Sequence, residues 1–447
     1  MRSDGMSGLY QPYEPNQAHL FPPSPRDWLP EGHLVHFISD TVDALDIKVL
    51  EEAYRREGAG TLAYHPRMML KLLIYSYCSG IFSSRAIARG IEENVALRFL
   101  AAGHSPSHRT LCRFRAEHIN AFESLFVQVV RIAQEAKLIK MGRLAIDGTK
   151  LKANASKHKA MSYGRMKQEE AKLSKEIAAI TKMATKADAD EELEFGQDFR
   201  GDELPAELTR RESRKAVIQA AKERLEARTK KADAEKIAKE KKRKAEGKPR
   251  RGRKHKTPPG TPKDTDQENF TDPDSRIMKT KDGYQQGYNA QAAIDDECQI
   301  IVATTLSNTA PDNRQLIPVV DAATKNVGVV PGKVVADAGY KSEENFCALE
   351  KRRIKGFIAL GRKDPAAGED DDDSPATARM RRSMKTKRGR REYRDRKHIA
   401  EAPFGWIKRA LGFRSFSLRG LANVTGEWSL VCTAMNLRRM AKMIQWT

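Results

Sequence analysis

The chain has no CxxC pair. Its five cysteines, Cys78, Cys112, Cys298, Cys347 and Cys432, are scattered and odd in number. That argues against a zinc ribbon and fits a reducing cytosol. No apolar run approaches the roughly 18 residues of a membrane-spanning helix. The first residues lack the basic-then-apolar order of a secretory signal, so the expected location is the cytoplasm. Acid is also in short supply: 60 Asp and Glu face 81 Lys and Arg, a net charge of +21 with a pI near 9.7. A surplus of that size points to a polyanionic partner, nucleic acid before membrane. Charge alone fits a merely basic or ribosome-associated protein too.

What is present is enough chain, 447 residues, for two or three domains at roughly 100–200 residues each. Residues 1–30, rich in Pro, Gly and Ser, read as an extended arm. Residues 31–135 read as an all-helical region. Pro66 is placed to start a nearly all-apolar helix, Gly80 to end it, Ser83 to cap a second, and a third starts near Ser107. The helix after Ser107 carries Arg109, Arg113 and Arg115. A short helix, a turn and a basic helix resemble a helix-turn-helix that lays Arg109 and Arg113 in a major groove, and the same spacing serves a plain bundle.

Residues 136–156 and 277–447 read as one mixed α/β unit, interrupted by a charged helical insertion over 157–276. Segment 213–245 has the i,i+4 charge pairing of a solvated helix or coiled-coil arm. Arg250, Arg251, Arg253 and Lys254 lie in a Gly- and Pro-flanked basic run. It reads as a disordered phosphate-binding tether. Beyond it come a hairpin about Asp295-Asp296, a helix over 312–327, a strand at 334–336, a helix over 343–353 and a short strand at 357–360. The acid run 369–373 reads as a solvated loop, and 380–397 is again basic.

Two apolar runs end in a carboxylate. Val334-Val335-Ala336 leads to Asp337-Ala338-Gly339, and Leu144-Ala145-Ile146 leads to Asp147-Gly148. Ligands in α/β sheets gather beyond the carboxyl ends of strands. A third acid, Glu401, precedes Pro403, and Pro403 is suited to a first helical turn, which sets Glu401 near a positive helix end. Lys408 follows two helical turns on. Taken singly, Asp147 reads as a turn aspartate and Lys408 as a surface lysine. Taken together, three carboxylates suit a pair of hard dications such as Mg²⁺ and in-line phosphoryl displacement.

At this point the residues resemble a known family. The stretches Ala145-Ile146-Asp147-Gly148-Thr149, Gly287-Tyr288-Asn289-Ala290-Gln291, Ala336-Asp337-Ala338-Gly339-Tyr340 and Glu401 to Lys408 look like the DDE transposases of bacterial insertion sequences. The group numbered eleven eighty-two is the most similar. Leu418-Arg419-Gly420-Leu421 and Asn436-Leu437-Arg438-Arg439 resemble that group as well.

The resemblance implies an RNase H-like mixed sheet with flanking helices, and Asp147, Asp337 and Glu401 as catalytic and metal-binding acids. It implies two Mg²⁺ ions, with Mn²⁺ as a substitute, and double-stranded DNA as partner, both terminal inverted repeats and target. It further implies a homodimer in the synaptic complex and action at the bacterial nucleoid. The family signature Tyr-x-x-Arg-x-x-x-Glu-x-x-x-x-x-x-Lys is met by Tyr393, Arg396, Glu401 and Lys408, with the Arg-to-Glu gap one residue longer. Lys397 holds the expected spacing, so either Arg396 or Lys397 is the DNA contact. The expected activity is hydrolysis at the element end followed by strand transfer. A metal-dependent nuclease of the same fold shares these acids, and a non-enzymatic DNA-binding descendant is the other alternative, against which the intact acid set argues.

Overall fold

The computed structural model describes residues 24–52, 62–195, 206–245, 247, 258–281, 283–361 and 374–444. The basic run with Arg250, Arg251, Arg253 and Lys254, the acid run 369–373 and most of the N-terminal arm lie outside the described residues. No described helix is long and apolar enough to cross a membrane.

Seven helices come first: α1 (Leu34–Ala44), α2 (Lys48–Glu51), α3 (Pro66–Cys78), α4 (Ser84–Glu93), α5 (Val95–Ala101), α6 (His108–Glu117) and α7 (Ala121–Glu135). Pro66 opens α3, where a missing N–H costs nothing. Ser107 caps α6 by accepting from the Thr110 N–H, whereas the Ser83 hydroxyl makes no cap bond. Arg115 does not face outward with Arg109 and Arg113. It is buried and donates to the Tyr77 hydroxyl and the Phe82 carbonyl, both at 3.0 Å.

The sheet begins at β1 (Arg143–Lys152). The insertion follows, with β2 (Ala160–Ser162), α8 (Tyr163–Phe195), α9 (Ala206–Ala245) and β3 (Gln267–Asn269). Strands β2 and β3 pair antiparallel and close its base. The helices α8 and α9 lie against each other around Met166, Leu173, Ile218 and Ala221, a small cluster separate from the main core. Ion pairs such as Arg211–Glu176 at 2.9 Å and Lys222–Glu170 at 3.0 Å run between them in antiparallel order. Each such half-buried pair at the helix surface adds little stability, so register is their main contribution.

Then come β4 (Arg276–Thr280), β5 (Gly283–Asp295), β6 (Ile301–Ser307), α10 (Leu316–Val327), β7 (Lys333–Ala336), α11 (Glu343–Lys351) and β8 (Lys355–Ile358). The order is β6-β5-β1-β7-β8, with β4 beside the other end of β5. The first three strands are antiparallel, and β7 and β8 run parallel to β1. This is a mixed sheet of the RNase H-like order. The 312–327 helix starts only at Leu316, which leaves Asp312 in a turn.

The chain ends with α12 (Pro375–Lys385), α13 (Lys387–Arg396), a π-helical turn (Lys397–Glu401), α14 (Ala402–Arg409) and α15 (Leu421–Met443). Helix α15 packs on α3, α7 and β6. The N-terminal helices and the sheet therefore share one buried cluster, with Trp428 and Leu437 among its members. The tail motif proves structural: Asn436 accepts from the Ile301 N–H at 2.9 Å and donates to its carbonyl at 2.8 Å. Arg438 and Arg439 donate to the Cys78 and Cys298 carbonyls.

Candidate active site

Strand pairing sets the first two acids side by side. Ile146 is paired with Ala336 across parallel β1 and β7, so Asp147 and Asp337 are the next residues on adjacent strands. Asp337 lies at the turn just beyond β7, whereas Asp147 lies within β1, which does not end at its carboxylate as the sequence suggests but runs on to Lys152 paired with β5. Asp147 accepts from the Gly148 N–H at 2.9 Å, and Asp337 from the Gly339 N–H at 2.8 Å.

The third acid is delivered by α13, which is pinned to the starts of the same strands. Arg143 and Lys333, paired in register, both bond Glu392, at 3.0 and 2.5 Å. Arg143 also holds Asp395 at 3.0 Å and Asp296 at 2.7 Å. From that anchor each strand runs four residues to its acid, about 13 Å at 3.3 Å per residue. The helix runs nine residues from Glu392 to Glu401, also about 13 Å at 1.5 Å per residue. Matching rises bring Glu401 level with Asp147 and Asp337.

The π turn solves the angular problem. In a regular helix, residues five apart stand about 140° apart around the axis, whereas one residue absorbed by a π turn leaves about 40°. Arg396 precedes that turn and Glu401 ends it, and the Arg396 guanidinium lies 3.7 Å from Glu401 and 3.7 Å from Asp147. The extra residue in the signature is thus taken up in the helix. Arg396 is buried and faces the acids, and Lys397 is exposed. Tyr393 lies with its ring 5.5 Å from the Arg396 guanidinium carbon. The helix is continuous into α14, so Glu401 sits inside a long helix and not at a free N-terminus.

Pro403 explains the turn. In a regular helix it lacks the N–H for the Ile399 carbonyl and its ring clashes there, and a π turn relieves both. Deleting Lys397 alone should cost about 3 kcal/mol, since Pro403 then meets a regular helix interior. Adding Pro403→Ala should recover the loss. Chemical denaturation of both variants checks this, and a neutral single deletion would count against it.

Burial pushes the Asp147 carboxyl up to about 6. The Gly148 N–H and Arg396 oppose the rise, and Asp337 and Glu401 add to it. Lys408 on α14 donates to the Thr149 hydroxyl. Burial draws its ammonium down, and the charge of Asp147 partly restores it. Carboxylate oxygens are the donors that hard dications take. Among the described residues, no group of three or more His, Cys, Asp or Glu side chains is gathered as a metal site. The Arg396 guanidinium provides positive charge between two of the acids, and its buried Nε has no hydrogen-bond partner among the described residues.

Of the other sequence-based candidates, Arg109 and Arg113 are exposed on α6, Arg113 beside Glu117 at 3.9 Å. Sequence reasoning assigns no role to Asn289, Gln291, Asp312 or Lys150, which form a polar cluster at this end of the sheet. The signal in the sequence is two amides alternating along the apolar strand β5.

Two family models match. The model described as Transposase domain (DUF772) matches residues 23–117, and the model described as Transposase DDE domain matches residues 226–437. Together they cover more than half of the chain, and the second includes Asp337 and Glu401. Neither includes Asp147. No curated protein and no solved structure matches it.

Proposed function

The chain belongs to the DDE transposases of insertion sequences, and from that premise we propose that it cuts and joins DNA at a centre formed by Asp147, Asp337 and Glu401. The three carboxylates would hold two Mg²⁺ ions, with Mn²⁺ as a substitute. Bound there, such ions supply positive charge to the attacking and leaving oxygens of an in-line phosphodiester displacement. The observation that supports this most directly is the Arg396 guanidinium, 3.7 Å from acids that come from two distant parts of the chain.

The chain's own residues divide the remaining work. Asp147 and Asp337, on neighbouring strands, fix one side of the centre, and Glu401 closes the other. Arg396 balances the buried negative charge while no cation is present. Lys408, held beside Asp147 by Thr149, is placed to take a phosphate of the strand being cut. Tyr393 orients Arg396, and exposed Lys397 extends the basic surface. The helical region 31–135, with Arg109 and Arg113 outward, and the basic run with Arg250, Arg251, Arg253 and Lys254 would bind terminal inverted repeats. Bringing two ends together calls for a homodimer, working in the cytoplasm at the nucleoid.

The test uses the full chain, duplexes carrying the ends of its own element, and Mg²⁺ or Mn²⁺. Cleavage plus joining of pre-cut ends to target DNA is the expected result, with both lost in Asp337→Ala. Cleavage without joining would instead identify a nuclease. Binding without either would identify a DNA-binding protein only. Lys408→Ala is expected to weaken end-complex formation and to lessen its dependence on salt, because one phosphate contact is lost.

A further inference from the structure

Three of the four family-like stretches meet at one side chain, Gln291. It lies on β5 opposite Gly148, its carboxamide directly over that glycine. A Cβ at position 148 would collide with Gln291 Nε2, so the carboxamide keeps this place only while residue 148 is glycine. On its other side, Gln291 Oε1 accepts from the Tyr340 hydroxyl, three residues beyond Asp337. Gln291 Nε2 donates to Asn289 Oδ1 at 2.8 Å and to Asp312 Oδ1 at 2.9 Å.

The same Asp312 oxygen accepts from Asn289 at 2.7 Å and pairs with Lys150 at 2.7 Å. Its other oxygen lies 3.3 Å from where a Cβ on Gly339 would stand, and Asp337 Oδ1 lies 3.0 Å from that point. A carboxylate only accepts, so Asp312 dictates that the Gln291 amide nitrogen faces it and the oxygen faces Tyr340. Both N–H groups and the carbonyl of Gln291 are then used, and the amide has one orientation. Gln291 and Asn289 are fully buried, and such a network is rigid only while every member is paired.

We propose that Gln291 is the positioning residue of the centre, fixing the β1 backbone beside Asp147 through Gly148 and the Asp337 turn through Tyr340, with Asp312 and Lys150 setting its orientation. The inference rests on the reading that the acids hold divalent ions. Gln291 touches neither DNA nor ion. It acts by limiting how far the Asp147 and Asp337 carboxylates move relative to each other, as outer-shell partners do for ligands at metal centres.

The test is Mn²⁺ binding to the full chain without DNA, followed by electron paramagnetic resonance or calorimetry. Gln291→Met keeps length and removes all three hydrogen bonds. It should weaken Mn²⁺ binding by about tenfold or more. Val320→Ala, a buried change in α10, serves as the control for lost stability and should bind Mn²⁺ as the wild type does. Tyr340→Phe, which deletes one hydroxyl, should show a smaller loss in the same direction and keeps the test alive if Gln291→Met fails to fold. Wild-type affinity in both Gln291→Met and Tyr340→Phe, or an equal loss in Val320→Ala, overturns the positioning role alone. A wild type that binds no Mn²⁺ overturns the metal reading and the inference with it.

Discussion

Asp147→Asn is expected to abolish cleavage and strand transfer while raising the melting temperature at neutral pH. The loss of activity should be roughly a thousandfold or more, since the proposed centre then lacks one of its three carboxylates. The gain in stability follows from the same burial. The folded carboxyl titrates at about 6, against an ordinary value of 3.8. Below the lower value both states are protonated and the site carries no penalty. As pH rises through this window the unfolded chain ionises first, and stability is lost up to about pH 6. A tenfold difference in proton affinity between folded and unfolded chain is worth about 1.4 kcal/mol, so the full penalty at pH 7 is on the order of 3 kcal/mol. An asparagine has no proton to lose and escapes it. Thermal melts of both proteins should differ by several degrees at pH 7 and converge below about pH 4. Added Mn²⁺ should narrow the gap at pH 7 by stabilising the wild type alone. A variant less stable than wild type at pH 7 would refute the burial argument.

The strands of the two aspartates are legible in the sequence because their signal is local. Small and β-branched runs before Asp147 and Asp337 mark both strands, but only β7 stops at its acid; β1 runs on to Lys152 because β5, far away in sequence, pairs with it throughout. The setting of Glu401 is not legible, and Pro403 shows why. Proline fits a first helical turn, and it fits equally after a π turn that has already broken the hydrogen-bond ladder. Local sequence does not distinguish the two. The structure does, because α13 is anchored through Glu392 to Arg143 and Lys333 far away in sequence. Asp312 reads as part of a helix by its neighbours, yet its partners at 150, 289 and 291 are brought in only by sheet pairing. Arg115 reads with its basic neighbours on α6, and no feature of that helix reveals a buried partner more than 300 residues on.

That partner carries the second large effect. Glu427 on α15 is fully buried, and burial pushes its carboxyl up against the opposing pull of the Ser417 hydroxyl, Arg115 and the Leu418 and Ser417 N–H groups. Ser417 and Leu418 donate to it through backbone N–H groups at 3.0 Å, and Ser417 through its hydroxyl as well. Tyr77 on α3 stands between the two charges, 3.0 Å from Arg115 and 3.5 Å from Glu427. One carboxylate thus ties α3, α6, α15 and the turn before α15 together. Glu427→Leu removes the nearby negative charge and leaves buried Arg115 with only the neutral Tyr77 hydroxyl and Phe82 carbonyl, which should cost about 3–5 kcal/mol. Glu427→Gln retains acceptor and shape without the charge and should cost less. Replacing Arg115 by Met together with Glu427→Leu should recover much of the loss, because the penalty belongs to the stranded cation and not to the helices. Urea denaturation of the four proteins decides it. A double variant as unstable as the Glu427→Leu single would show that the lost turn contacts, and not the stranded charge, carry the cost.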